Sequence, residues 1–265
     1  MIDFSRRPES LKESFRVDRL LVEVFPDRVA LGRAAGQAAA DILRDVLAKK
    51  ESARVIFAAA PSQNECLDTL VGEPGIDWNR VTALHMDEYI GLPVDAPERF
   101  SHYLKTRIFD RLPFKEVFLL DDPTLRLDNE EILKRYRQIL AQGPVDLVCM
   151  GIGENGHIAF NDPPAPFDDP EAVKIVDLDL VCRQQQVNDG CFPNVDAVPK
   201  QAVSLTIPTL TSAAALVCSV PGKFKRRAVR QTLTGPVSED CTATALRQHP
   251  NATLFVDEDS CDVTE

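Results

Sequence analysis

The chain has 265 residues, of which 44% are hydrophobic and 27% charged, the composition of a globular protein with a substantial core. A formal net charge of −11 and a pI near 4.9 argue against binding to nucleic acid or to an anionic membrane, since either needs a net basic surface. Seven scattered cysteines without a C-x-x-C pair argue against a disulfide framework or a zinc knuckle. With an N-terminus that has no apolar signal core, and no apolar run of bilayer length, they point to the cytoplasm.

Apolar, β-branched runs alternate with helical patterns along the chain. A strand is expected at 20–27, an Ala-rich helix at 30–50, and a strand at 54–61 that ends on Pro61. A helix over 62–71 opens with Ser62 as N-cap and Glu65 three residues on, a capping-box pattern. Next come a strand at 80–89, a helix around 100–109, a strand at 116–120, a helix at 129–141 and a strand at 145–153. After a Pro-rich acidic stretch at 162–170, strands are expected at 202–210 and 213–221, a helix at 222–235 and a last strand from 252. The alternation predicts an α/β fold: a single domain over residues 1–265 with a mostly parallel β-sheet flanked by helices on both faces. Residues 1–24 read as a lead-in and 162–200 as an irregular lid.

Ligands bind such sheets beyond the carboxyl ends of the strands, so the post-strand loops carry the chemistry. In AAAPSQNE, Ser62 and Gln63 stand at a helix start, where free N–H groups favour an anion; an ordinary N-cap serine is the alternative. A nucleotide P-loop is excluded by the missing lysine and glycines. In HMDEYIGLP, Asp87 and Glu88 are adjacent acids that alternation turns to opposite sides of the strand. One of them suits a general base, with capping or turn formation as the alternative. His85 has no matching His/Cys set, so no metal is expected. In GIGENGHIAFNDPP, Gly151, Gly153 and Gly156 allow positive φ and bring His157 to the strand end, with Asp162 close enough to orient it. Its two prolines exclude a dinucleotide-binding helix. In PGKFKRR, Lys223, Lys225, Arg226 and Arg227 gather at a helix start; either an anion sits between them or they form a solvated face.

In this order MDEYIGLP (86–93), GIGENGHIAFNDP (151–163), VSLTIPTL (203–210), GKFK (222–225), TGPV (234–237) and CTATALRQHP (241–250) resemble the glucosamine-6-phosphate deaminase (isomerase) family. That family is related in fold, Rossmann-like, to 6-phosphogluconolactonase, and the likeness covers nearly the whole chain from about residue 25. The resemblance implies a cofactor-free aldose–ketose isomerisation of a hexosamine 6-phosphate to fructose 6-phosphate with loss of ammonia. It implies that Asp87 moves the proton between C2 and C1, that His157 assists ring opening and that Asp162 supports His157. Lys225 and the backbone at Ser62 and Gln63 would hold the phosphate, and Glu88 and Gly153 would join them in contacting substrate. The partner is a small sugar phosphate, with neither metal nor cofactor, and a homo-oligomer stays open.

The sequence departs from the family pattern at several points. Asn155 stands where an aspartate is usual, Asp162 is one methylene shorter than the usual glutamate, and AAAPSQ replaces a Gly/Thr-rich phosphate loop. The lid arginine's place falls on Gln186 or Asn188, and Arg183 is the nearest substitute. An amide cannot stabilise an imidazolium by charge, so Asn155→Asp is expected to raise ammonia release. A lactonase-type hydrolase and a weakly catalytic sugar-phosphate sensor are the alternatives.

Overall fold

The computed structural model describes residues 10–121, 125 and 127–261. Within the expected lead-in, β1 (Glu13–Val17) and β2 (Leu20–Phe25) form an antiparallel hairpin that turns at Asp18, whose φ of 52° is tolerable for an aspartate. Residues 1–9 of that lead-in lie outside the described residues. Helix α1 (Arg28–Lys49) starts at Asp27, whose carboxylate accepts the N–H groups of Val29 and Ala30. After it come β3 (Ala53–Phe57), α2 (Asn64–Gly72), β4 (Val81–His85), β5 (Asp87–Tyr89), α3 (Phe100–Leu104), β6 (Glu116–Phe118), α4 (Asn129–Leu140) and β7 (Leu147–Met150). The chain closes with β8 (Val173–Asp177), α5 (Leu180–Asn188), β9 (Gln201–Leu205), α6 (Ile207–Thr211), β10 (Ala215–Val220), α7 (Arg226–Thr234) and β11 (Ala252–Asp257).

Eight strands form the main sheet in the order β1-β2-β11-β10-β7-β3-β4-β6, all parallel except the edge strand β1. Successive side chains enter two different cores. Ile56, Val148, Met150, Leu216 and Cys218 pack on one face, with Tyr136 of α4 and Val229 of α7. Val55, Phe57, Leu147, Cys149 and Val217 pack on the other, with Leu43 of α1 and Leu67 of α2. Burial on both faces is why these runs read as continuously apolar. Helix α1 lies close on α2 because Gly36 lacks a Cβ, which would stand 2.6 Å from the Cys66 carbonyl oxygen. Among the described residues, no helix is long and apolar enough to cross a membrane.

The structure corrects several expected elements. The strand over 80–89 breaks at Met86: β4 stays in the main sheet, while β5 joins β9 and β8 in a second, three-stranded antiparallel sheet. The expected strand at 202–210 is β9 followed by α6, with Pro208 in the first turn, where its missing N–H costs nothing. Helix α2 begins at Asn64 after a 3₁₀ turn, Pro61–Gln63, so Ser62 caps nothing and Glu65 pairs with Arg28 at 2.8 Å. A capping box does form at α4, between Asp128 and Glu131. The stretch taken as an irregular lid contains β8 and α5.

Candidate active site

The chain runs from β3 outward to β4 and β6, and from β7 outward the other way to β10. Strand order therefore reverses between β3 and β7, the place where an open α/β sheet leaves a crevice. The loops after β10, β7, β3 and β4, four neighbouring strands, line one cleft of about 450 Å³ including its mouth. Ala58, Ala59, Ala60, Ser62 and Gln63 follow β3; Met86 and Asp87 follow β4; Gly151, Gly153 and His157 follow β7; Lys225 follows β10.

Asp87 reaches the cleft because the chain leaves the main sheet at Met86 and Asp87 pairs with Ser204 of β9. Its side chain is buried, and Oδ1 has no hydrogen-bond partner. Burial, reinforced by the neighbouring charge of Glu88, pushes this carboxyl well above its ordinary range. Glu88 turns the other way, as alternation requires. It accepts the N–H groups of Tyr89, Phe100 and Ser101 at 2.9, 3.1 and 2.9 Å, and so secures the start of α3. Its expected place beside the substrate is corrected: the cleft takes Asp87 alone of the pair.

The loop after β7 is shaped to hold an imidazole. A Cβ on Gly153 would stand 2.2 Å from both Cε1 and Nε2 of His157, so the ring occupies the space that glycine leaves. Only Gly156 of the three glycines needs the left-handed region, with φ of 89°. The next residues form a tight turn. Asn161 Nδ2 donates to the carbonyls of Ile158 and Leu205 at 2.9 and 2.8 Å, and Thr242 Oγ1 donates to those of Gly156 and Asn161 at 3.2 Å each. This clamp presents Ala159, at φ 49°, and Phe160 to the cleft, where Phe160 stacks on Phe100 at 5.5 Å.

His157 Nδ1 lies 3.0 Å from Asp162 Oδ1. Burial pushes the Asp162 carboxyl up, but His157, the Asn155 amide and the Asp179 N–H outweigh it and hold it below the ordinary value. An ionised carboxylate only accepts, so the proton it draws belongs on Nδ1; the ring is turned off the line of an aligned hydrogen bond, and Nε2 is left for the cleft. Asn155 does not touch the ring. Its Nδ2 donates to Asp162 Oδ1 and to Asp179 Oδ2, and its Oδ1 accepts the His157 N–H.

On the other wall Lys225 is 5% exposed, and its ammonium makes no hydrogen bond or ion pair among the described residues. Burial lowers its proton affinity, while the charges of Asp189 and Glu154 act against that. Of the four cations in PGKFKRR it alone lines the cleft. Gln63 donates from Nε2 to Ser219 O at 3.1 Å and to Ser62 Oγ at 3.3 Å, which leaves Oε1 buried without a partner. Arg183 is not where a phosphate contact would need it: its guanidinium donates to the carbonyls of Val195 and Val198 at 2.6 and 3.2 Å, outside the cleft lining. The same helix instead places Gln185 and Gln186 in the cleft. Gln185 was missed because α5 itself was missed; the signal was Asp179, which caps α5 through the Cys182 N–H.

His157, Asp162 and Cys182 are the residues able to gather round an ion, with one donor atom each within 4.8 Å of the others. Burial, and then the charges of Asp162 and Asp179, push the Cys182 thiol well up, which opposes the thiolate a metal needs.

The family model for glucosamine-6-phosphate isomerases/6-phosphogluconolactonase matches residues 26–255. The chain belongs to this family. It is 34% identical over 231 residues to a glucosamine-6-phosphate deaminase of Streptococcus pneumoniae (strain 70585), covering 87% of this chain and 94% of the relative. The structure of a monomeric glucosamine-6-phosphate deaminase matches with a TM-score of 0.81 at 29% identity, over 90% of this chain and 98% of that one. A 6-phosphogluconolactonase from Thermotoga maritima shares the fold, with a TM-score of 0.73 at 18% identity over 90% and 99% of the two chains. The match to this family begins after the β1–β2 hairpin and takes in all four cleft loops.

Proposed function

We propose that the cleft converts glucosamine 6-phosphate to fructose 6-phosphate and ammonia. The observation that carries this reading is Asp87: a buried carboxyl with an unpartnered oxygen, lining the same cleft as His157 and Lys225. Moving a proton between two carbons needs a positioned base, and desolvation makes Asp87 a stronger one than an exposed carboxylate. His157 takes the C1 hydroxyl proton at Nε2 and returns it to the ring oxygen, which opens the sugar to its aldehyde. Ionised Asp87 then removes the C2 proton and delivers it to C1, while O1 gains a proton and the ammonium nitrogen loses one. The product is a C2 iminium; water adds there and ammonia leaves, giving the ketone. Lys225 and the turn before α2 meet the 6-phosphate.

Lactone hydrolysis is the second reading, supported by the shared fold of the lactonases. It needs only a base for water and gives Asp87 no task. The likeness to a solved deaminase described as monomeric supports a single subunit as the working unit. Seven unpaired thiols are in keeping with a reducing cytoplasm. Ammonia release is measured with glucosamine, galactosamine and N-acetylglucosamine 6-phosphates, and hydrolysis with 6-phosphogluconolactone. Release from glucosamine 6-phosphate is expected; lactone hydrolysis without ammonia from any amino sugar would sink the proposal, and binding without turnover would leave a sensor.

A further inference from the structure

The Asn155 side chain engages both of its amide protons and its oxygen. The two protons of Nδ2 go to two carboxylates, Asp162 Oδ1 at 2.9 Å and Asp179 Oδ2 at 3.0 Å, and Oδ1 accepts the His157 N–H at 3.1 Å. Each acid has a further task. Asp162 lies 3.0 Å from His157 Nδ1 and accepts the Asp179 N–H at 3.0 Å, while Asp179 Oδ1 accepts the Cys182 N–H at 2.5 Å and caps α5. The same helix is tied to the loop twice more, by Gln185 Oε1 on the Glu154 N–H at 2.7 Å and by Asn188 on the Glu154 carboxylate at 3.2 Å. The imidazole and the helix that brings Gln185 and Gln186 to the cleft thus meet at one amide.

We propose that Asn155 is a positioning residue whose side chain must be a neutral double donor: it bridges Asp162 and Asp179 with its two amide protons, and through them fixes the His157 ring to the first turn of α5. This rests on the reading of His157 as a proton carrier in sugar-phosphate isomerisation. A carboxylate at position 155 only accepts. It loses both donated bonds and adds a third negative charge, so one of the three acids must take up a proton. The ionisable groups around the joint are His157, Asp162 and Glu154 of its own loop and Asp179 and Cys182 at the start of α5, with Asp87 of β5 acting on Cys182 and Lys225, after β10, acting on Glu154 and Cys182. Lys225 is the cation in reach of this group, and in the proposed reading its charge is turned to the substrate phosphate. An acid here therefore works against the site, the reverse of what position 155 alone suggests.

The test compares Asn155→Asp and Asn155→Leu with the wild type in the full chain. Two readouts are taken between pH 5.5 and 9: kcat and KM for glucosamine 6-phosphate, and the low-field proton NMR signal of the His157 Nδ1–H without substrate, assigned by its loss in His157→Gln. Asn155→Asp is expected to lower kcat at least ten-fold at pH 8 and to weaken the signal, with partial recovery at lower pH, where a protonated carboxyl again donates one bond. Asn155→Leu is expected to lose both without that recovery. A kcat at or above wild type in Asn155→Asp at pH 8, or wild-type kcat and signal in Asn155→Leu, overturns the proposal. Should even the wild type release no ammonia, the functional reading fails and the NMR signal alone decides: kept in Asn155→Asp it overturns this inference, lost it supports it. Should Asn155→Asp unfold at pH 8, its Tm is followed downward. An acid with a raised folded-state value gives stability that is present at low pH and lost on rising pH, so a Tm that does not recover toward pH 5.5 also overturns it.

Discussion

Asp87→Asn removes the charge at the centre of the proposed chemistry and keeps the size of the side chain. Without a base at C2 the rate falls by about two to four orders of magnitude, the usual contribution of a positioned proton carrier. Stability moves the other way. The carboxyl is raised in the folded protein, so stability present below its unfolded value of 3.8 is lost as the pH rises through the folded value. Once ionised, the native carboxylate is a buried charge with one oxygen unpartnered. An unsatisfied buried polar group costs about 1–3 kcal/mol, and more when it is charged. Trading charge for a neutral amide is therefore worth at least about 1 kcal/mol, which in a chain of this size raises Tm by about 2–4 °C. Thermal unfolding by circular dichroism at pH 4.5 and 8, with ammonia release at pH 8, checks both halves. The stability gain is expected to shrink at pH 4.5, close to the unfolded value, where the raised carboxyl costs the native state little. A variant no more stable than wild type at pH 8, or one keeping more than a tenth of its activity, refutes the account of Asp87.

Lys225→Met keeps the stem and removes a buried cation that has no hydrogen-bond or ion-pair partner among the described residues; losing a charged hydrogen bond of about 1.5–3 kcal/mol raises KM about ten- to hundred-fold with kcat within a few-fold. An unchanged KM would move the phosphate elsewhere. Gly153→Ala puts a Cβ 2.2 Å from Cε1 and Nε2 of His157, so the ring must leave and kcat falls while circular dichroism stays native; an unaffected kcat would show that the ring does not act where it sits. For Gly36→Ala the alanine gains about 1 kcal/mol of helix propensity. Against that, its Cβ lies 2.6 Å from backbone of α2, and overpacking at about 1–3 kcal/mol decides the sign, so Tm falls; a rise would refute the close helix contact.

Much of the fold was legible because burial on both faces writes strands as unbroken apolar runs, and the four polar loops that follow such runs are the cleft loops. What failed did so for local reasons. The run at 80–89 is continuous in sequence, yet β4 and β5 pair with different partners, and pairing is a long-range choice. Strand β8 and helix α5 were hidden because their burial is shallow: β8 is mostly half-exposed and α5 exposes Leu180 and Val181, which blurs both periods. Arg183 was placed near the phosphate by nearness in sequence to Gln186. On a helix those two residues do not share the same neighbours: Gln186 enters the cleft, and Arg183 bonds the carbonyls of Val195 and Val198. Glu88 was given to the substrate although alternation already sent it away from Asp87; the N–H groups at the start of α3 then claim it.

Position 155 demonstrates the same limit in electrostatic form. Along the sequence, an amide two residues before His157 reads as a missing charge, because the family pattern has an aspartate there. Besides Asp162, a second acid lies 24 residues further on, at Asp179, and reaches the joint only because α5 docks on the loop. Its backbone N–H joins the Asn155 amide in holding Asp162 below its ordinary range, where His157 can use it. Charge around a catalytic histidine is a property of the folded neighbourhood, so a substitution judged at one aligned position carries the wrong sign whenever the compensating group arrives from another element. Here two acidic side chains already accept from one amide, and neutrality is what that position supplies.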